Sequence, residues 1–359
     1  MLKRKIYDKK NRMKENLMCN ILLLGMGGEV SKGILKAIKL SGISCKIIGA
    51  CISKESEGLY FCDKAYLSPY ASDPQMIDWL VDICNKEHID LVLTGVEENI
   101  STIAAHINYL KSRCRAVFRV SSQKQLEIGG DKLVTCEWLK NNGFPFPGYA
   151  ALDDDAAVKQ LVLKCGFPLI AKPRSGKGSV GVLLIQNEKE LDSIIGKSGY
   201  VLQEYIGTED TEYTVGCYFG MHGELPDPII MKRKLKHGSS WKVEVVDNLC
   251  ILEYARKICS TFKPNGPLNI QLRLNDQGIP VPFELNVRFS GTTPMRAHFG
   301  FCDVKAMLYE SLYQKPIDDC FHIRKGVAYR YTEEVYLEDV PEVINNELRW
   351  KLLEGNLGR

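Results

Sequence analysis

The sequence predicts a mixed α/β and α+β fold, and three observations carry that expectation. Short apolar segments alternate with amphipathic helical ones from residue 18 to 122. A second alternation, jointed by glycine and proline, occupies 123–206. Longer strand-like runs then dominate residues 207–318. The 359 residues are enough for two or three compact units with sizeable cores.

The first strand is "CNILLLG", followed by the glycine turn "GMGGEVSKG" and a helical pattern in "KGILKAIKLSG". Strand "KIIGACI" comes next, and helix "PQMIDWLVDICNKEH" leads into strand "IDLVLTG". Short apolar strands alternating with helices imply a parallel sheet covered on both faces. The segment "GGDKLVTCEWLKNNGFPFPGY" reads as a helix closed by Asn142-Gly143, with prolines enforcing an extended exit. In "DDDAAVKQLVLKCG" the acids sit at the positive end of a helix. Strand "FPLIAKP", loop "RSGKGSVG", strand "GVLLIQ", a helix near "EKELDSII" and strand "YVLQEYI" complete the middle unit.

The remaining strands are "TEYTVGCYFG", "PIIMKRKL", "WKVEVVD", "LNIQLRLN" and "IPVPFELNVRF", with a helix near 250–262. They predict a mainly antiparallel sheet. Residues 1–17 read as a basic tail and 319–359 as an extension without an assigned role.

Composition excludes several classes. Apolar content of 45% and charged content of 25% are ordinary for a soluble protein. A net charge of +3 gives no case for nucleic-acid binding. No apolar stretch approaches the roughly 20 residues that span a bilayer, so no membrane partner is expected. The thirteen cysteines make no CxxC pair. Buried, reduced thiols of a cytoplasmic protein are expected, rather than a metal site or disulfide framework.

Three stretches carry chemistry. In "AKPRSGKGSVG", a strand-end lysine, Lys172, enters a loop with Gly176, Gly178 and Gly181. Glycine lets backbone N–H groups close on an anion, and Lys172 and Lys177 add positive charge. The loop therefore reads as a phosphate cradle, with an ordinary hairpin turn as the alternative; it is not a GxxxxGK[ST] loop.

In "VLQEYIGTEDTEYTV", a buried strand ends at Gln203-Glu204-Tyr205-Ile206, and Glu212 begins another. Such a segment can offer backbone groups to a base edge and a carboxylate to ribose, although acids at strand ends are usually solvated. In "PFELNVRFSGTT", Glu284 and Asn286 share one strand face, and Gln271 of "LNIQLRL" can face them across a hairpin. All three offer the oxygens that Mg²⁺ prefers, and Arg288 can hold a developing negative charge.

These stretches, in this order and with Lys132 of "GGDKLVT", resemble the ATP-grasp superfamily, in particular a single ATP-grasp unit of the carbamoyl-phosphate synthase large subunit and its stand-alone relatives. The resemblance covers residues 19–315. It implies a Rossmann-like N-terminal domain followed by a two-subdomain ATP-grasp fold. ATP would lie between the subdomains, with Lys132 and Lys172 on its phosphates. Gly176, Gly178, Ser179 and Val180 would form a mobile lid. Tyr205 and Ile206 would present backbone to adenine, with Glu204 beside them, and Glu212 would take the ribose.

Gln271, Glu284 and Asn286 would hold Mg²⁺, with Mn²⁺ admissible, and Arg288 would act in catalysis. The implied activity is an ADP-forming, Mg²⁺-dependent carboxylate–amine ligation through an acyl-phosphate, on small-molecule carboxylate and amine substrates. A nucleotide-binding regulatory or scaffold protein without turnover stays open, as does a homodimer. An NAD(P) site in the first domain would need an acid after the second strand, where Glu55 and Glu57 are the candidates.

The sequence also departs from the synthase. Gly291 stands where the synthase carries a second arginine, which disfavours bicarbonate and leaves a larger carboxylate as substrate. Glu97 and Glu98 are candidates to meet an amine, or else a helix N-cap cluster. The run "MKRKLKHGSSWK" reads as a solvated basic hairpin, with contact to a triphosphate as the alternative. Arg296 and His298 are weaker candidates for carboxylate binding.

Overall fold

The computed structural model describes residues 18–176 and 178–353. The expected basic tail and Lys177 lie outside the described residues. The mixed α/β and α+β fold is as the sequence predicts, built on three sheets.

The first sheet contains β1 (Cys19–Leu24), β2 (Cys45–Cys51), β3 (Lys64–Leu67), β4 (Leu91–Thr94) and β5 (Val117–Phe118). They pair in parallel in the order β3-β2-β1-β4-β5. Residues 21–24 form an uninterrupted apolar run because both faces of the sheet are covered. Ile21 and Leu23 pack with helix Glu29–Leu40, while Leu22 and Leu24 pack with helix Met76–Lys86. Strand β3 was not evident in the sequence: it is four residues long, and Lys64 is ion-paired to Glu87 at 2.8 Å.

The second sheet is antiparallel and contains β6 (Tyr149–Ala151), β7 (Leu169–Pro173), β8 (Leu183–Ile185) and β9 (Tyr200–Glu204), in the order β6-β9-β7-β8. Helix Asp155–Cys165 packs beside it, with Asp154 accepting the Ala157 N–H at 3.0 Å as its N-cap.

The third sheet contains β10 (Glu212–Phe219), β11 (Ile229–Lys236), β12 (Ser239–Val245), β13 (Gly266–Leu274), β14 (Pro280–Asn286) and β15 (Gly326–Tyr329). Its order is β14-β13-β10-β11-β12-β15, and every pairing is antiparallel. Helix Leu249–Phe262 covers one face through Ile251, Ala255, Ile258 and Phe262. From the other face, Tyr218, Met231 and Val243 join the same core as Ile21 and Leu23 of the first sheet. One apolar cluster therefore welds the parallel sheet to the third sheet and fixes the gap between them.

The C-terminal extension straddles both. Strand β15 forms an edge of the third sheet. Strands β16 (Glu342–Ile344) and β17 (Glu347–Arg349) return to the first, where β17 pairs antiparallel to β3.

Arg296, a weaker carboxylate-binding candidate in the sequence, is fully buried beneath this junction. Its guanidinium pairs with Asp303 at 2.9 Å and donates to Thr293 at 2.8 Å. His298 is exposed. Removing one partner of a buried pair strands the other charge. Asp303→Ala should therefore lose about 3–5 kcal/mol of unfolding free energy, read from the urea midpoint at unchanged slope.

Candidate functional site

A cavity of about 210 Å³ lies between the second and third sheets. Its walls include Lys132, Lys172, Gly176, Gly178, Ser179, Val180, Glu204, Tyr205, Ile206, Glu212, Gln271 and Glu284, so most of the residues expected from the sequence do meet. A second cavity, about 370 Å³, opens toward the first sheet. The two share Gly178, Ser179, Arg233, Leu235, Gln271 and Glu284. Asn286 and Arg288 line the second cavity rather than the first.

Each lysine is held by its local fold. Lys132 opens helix Lys132–Asn141, whose N-cap Asp131 is bound in turn by Arg174 at 2.7 Å. The Lys132 Nζ donates to the Gly176 carbonyl at 3.2 Å. Lys172 sits on β7 at 6% exposure, with its Nζ 5.0 Å from the Phe283 ring centroid. Burial pulls its amine down to about 8, opposed by Glu284 and reinforced by Lys132.

The glycine loop lies over the cavity, and Val180 at its tip is 77% exposed. Ser179 adopts φ 58°, a left-handed conformation. A β-carbon on Gly238 would stand 2.1 Å from the Gly178 carbonyl oxygen, so the loop and the β11–β12 turn meet backbone to backbone.

The expected base and ribose residues have internal partners. Glu204 accepts the Gly148 N–H at 2.9 Å, and Arg273 donates to the Ile206 carbonyl at 3.3 Å. Glu212 is 4% exposed and bound by two guanidiniums, Arg233 at 2.6 Å and Arg273 at 2.8 Å. The expectation of a solvated basic hairpin at 231–242 is corrected at Arg233, which is buried in this pair while Lys234 and Lys236 remain exposed. A period-two reading was the available signal, since it places Arg233 on the same strand face as the apolar Met231. Arg273 carried no such signal.

Glu284 and Gln271 are direct cross-strand partners, as the hairpin reading requires. The Asn286 amide donates to Glu284 Oε1 at 3.0 Å. The Gln271 carbonyl oxygen is taken by Arg233 at 2.7 Å, because a buried guanidinium with a spare N–H finds the nearest oxygen. Glu284 and Asn286 thus suit a hard divalent cation that draws its other oxygens from phosphate and water, and Gln271 suits one once Arg233 lets go. Among the described residues no cluster of three His, Cys, Asp or Glu side chains forms a metal site.

Arg288 is bound to Glu97 at 2.6 Å and donates to the Phe289 carbonyl at 2.9 Å. Glu97, a candidate to meet an amine, therefore holds this arginine. Of the acids considered for an NAD(P) ribose, Glu57 is engaged by Lys32. Glu29 lies on the same cavity wall; burial pushes its carboxyl up, but Lys32 and Arg330 beside it hold it below the usual range.

Two family models match this architecture. Residues 21–114 match "PylC-like, N-terminal domain", and residues 198–335 match "ATP-grasp in the biosynthetic pathway with Ter operon". An ATP-grasp domain and, before it, a PylC-like N-terminal domain are thus recognised within the chain.

Among curated relatives, the 2-oxoglutarate carboxylase small subunit of Hydrogenobacter thermophilus is 26% identical over 178 residues. That match takes in 47% of this chain and only 36% of that protein. The D-alanine–D-alanine ligase of Bacillus anthracis is 22% identical over 279 residues, 70% of this chain and 89% of the ligase. Among solved structures, N5-carboxyaminoimidazole synthetase from Staphylococcus aureus superposes with a TM-score of 0.70 at 14% identity. It covers 87% of this chain and 83% of the synthetase, a likeness of fold.

The buried Lys172 amine makes the site sensitive to pH. A phosphate bound beside Lys172 would favour the charged amine, so a nucleotide that binds there should take up a proton above the free-site value of about 8. Affinity should then fall with rising pH, by up to about 10-fold per unit. Calorimetry at about pH 8.5 in buffers of different ionisation enthalpy should detect the uptake, and Lys172→Met should remove it. For folding the sign is opposite. The unfolded chain holds that proton more tightly, so this group's contribution to stability rises with pH between about 8 and the ordinary lysine value.

Proposed function

We propose that the chain is an ATP-dependent, ADP-forming carboxylate–amine ligase that works through an acyl-phosphate. The observation that carries this reading is the shared wall between the two cavities, where Glu284 and Gln271 border both. A γ-phosphoryl group at that wall would lie next to a substrate approaching from the second cavity. Apolar side chains at Ile170, Val182 and Leu235 suit a purine, and Lys132 and Lys172 suit its phosphates. Glu204, Tyr205 and Ile206 would edge the adenine. Glu212, steadied by its two arginines, would accept from ribose with its remaining lone pairs.

Bond changes balance without an enzyme nucleophile. A substrate carboxylate oxygen attacks the γ-phosphorus, and ADP leaves. The amine lone pair then attacks the acyl carbon, phosphate leaves, and the amine gives up a proton. Lys132 and Lys172 neutralise the phosphates, the 174–182 loop excludes water, and Arg288 faces the second cavity where charge develops on the acyl oxygen. Glu284 and Asn286, joined by Gln271, would hold Mg²⁺ or Mn²⁺, which supplies charge neutralisation at the phosphates. Abundant single thiols suit a reducing, cytoplasmic setting.

One observation favours nucleotide binding without turnover: Gln271 and Arg288 are already paired, with Arg233 and Glu97. Release of ADP and phosphate from MgATP, screened over amino acids and small carboxylates, separates the two readings. Release that needs one acid and one amine supports the ligase, and its absence with intact ATP binding supports the alternative. In the ligase case Glu284→Ala should cut turnover by at least about 100-fold, a loss of several kcal/mol of charge stabilisation. Its melting temperature should stay near that of the parent.

A further inference from the structure

The C-terminal extension sends one side chain into the second cavity. Arg330 directly follows β15, and its N–H donates to the Trp241 carbonyl at 2.8 Å, which fixes its backbone beside β12. Its side chain is 23% exposed and lines the cavity. Nη1 donates to Glu29 Oε2 at 2.6 Å, and Nη2 donates to the Gly291 carbonyl. Nε is buried and has no hydrogen-bond partner among the described residues.

A β-carbon on Gly291 would stand 3.6 Å from Nη2, an ordinary van der Waals contact.

The other arginines of this cavity are more firmly committed. Arg233 is buried against Glu212, and Arg288 is bound to Glu97 through both Nε and Nη2. The partner of Arg330 is weaker. Glu29 is 56% exposed and is shared with Lys32 at 2.7 Å, so the pairing is screened and readily exchanged. A buried N–H without a partner is costly, and an arginine fork meets a carboxylate through two parallel bonds. The Nε N–H is unused, and a carboxylate that displaced Glu29 would let the guanidinium turn and meet it through two bonds.

We infer that Arg330 is a specificity-determining residue that anchors a carboxylate of the substrate in the second cavity, a carboxylate distinct from the one that reacts. Arg330 borders the second cavity but not the nucleotide cavity, whereas the reacting carboxylate must meet phosphate at the wall the two share. The ligand class is thus a molecule with a spare carboxylate, either an α-amino acid or a dicarboxylic acid. The inference rests on the ligase reading for its chemistry.

The test compares the parent with Arg330→Gln and Arg330→Lys, using the amino acids and dicarboxylates that support ADP release. Both variants should keep the parent's melting temperature and its KM for ATP. Arg330→Gln should raise the KM of one substrate by about 10- to 100-fold with a smaller change in kcat, the size of a lost charge-assisted contact. Arg330→Lys should recover only part of this, because it restores charge without the Nε edge. Replacing the anchoring carboxylate by an amide should cost the parent as much as the substitution does and should cost Arg330→Gln nothing further. An amino acid and a dicarboxylate are told apart by which of the two shows this loss.

Turnover with an unchanged KM for every substrate in Arg330→Gln overturns the inference and leaves the ligase reading standing. Without turnover, calorimetry of malonate against the MgADP complex decides. Binding that Arg330→Gln abolishes supports the anchoring site while the ligase reading fails. No binding, or equal binding in both proteins, overturns the inference.

Discussion

Glu212 is a carboxylate buried at the centre of the site, and much of the site's order follows from it. A charge in that position has to be paired, and two guanidiniums close on it from neighbouring strands. Each then reaches further. Arg233 continues to the Gln271 carbonyl oxygen. Arg273 continues to the Ile206 carbonyl and lies 5.0 Å from the Tyr205 ring centroid. One buried charge therefore ties the segment leaving the second sheet to three strands of the third. Lys172 is under a related constraint, since its burial lowers its proton affinity and Glu284 opposes that effect only in part.

The second cavity is framed by different physics. An apolar core common to the first and third sheets holds them at a fixed separation, and polar contacts then bridge the remaining gap. Two arginine–glutamate pairs do so at the cavity: Arg288 with Glu97, and Arg330 with Glu29. In each, the acid comes from the N-terminal unit and the base from beyond residue 287. The C-terminal extension reinforces the same junction by adding β15 to one sheet and β17 to the other. Strands β15 and β17 take their backbone hydrogen bonds from sheet edges, and the first of these pairings places Arg330.

Long elements with one side on a core were legible in the sequence. Alternation in "PFELN" and "NIQL" put Glu284 opposite Gln271, because a strand's side chains change face at every residue. The uninterrupted apolar run in β1 announced a sheet covered on both sides. Strand β3 was too short for a pattern to emerge, and Arg233 was hidden among lysines whose solvated faces resemble it in composition but not in register.

By itself, the sequence carried the alternation of strands and helices, the glycine loop and many of the residues that line the first cavity, through local periodicity and through motifs that resemble the ATP-grasp superfamily. Only the tertiary structure decided which charges meet. Glu212 with Arg273, Arg288 with Glu97 and Arg330 with Glu29 join residues 61, 191 and 301 positions apart in the chain. No local pattern encodes such pairs. They follow from how the sheets pack, because a buried or half-buried charge settles on whichever opposite charge the packing brings within reach.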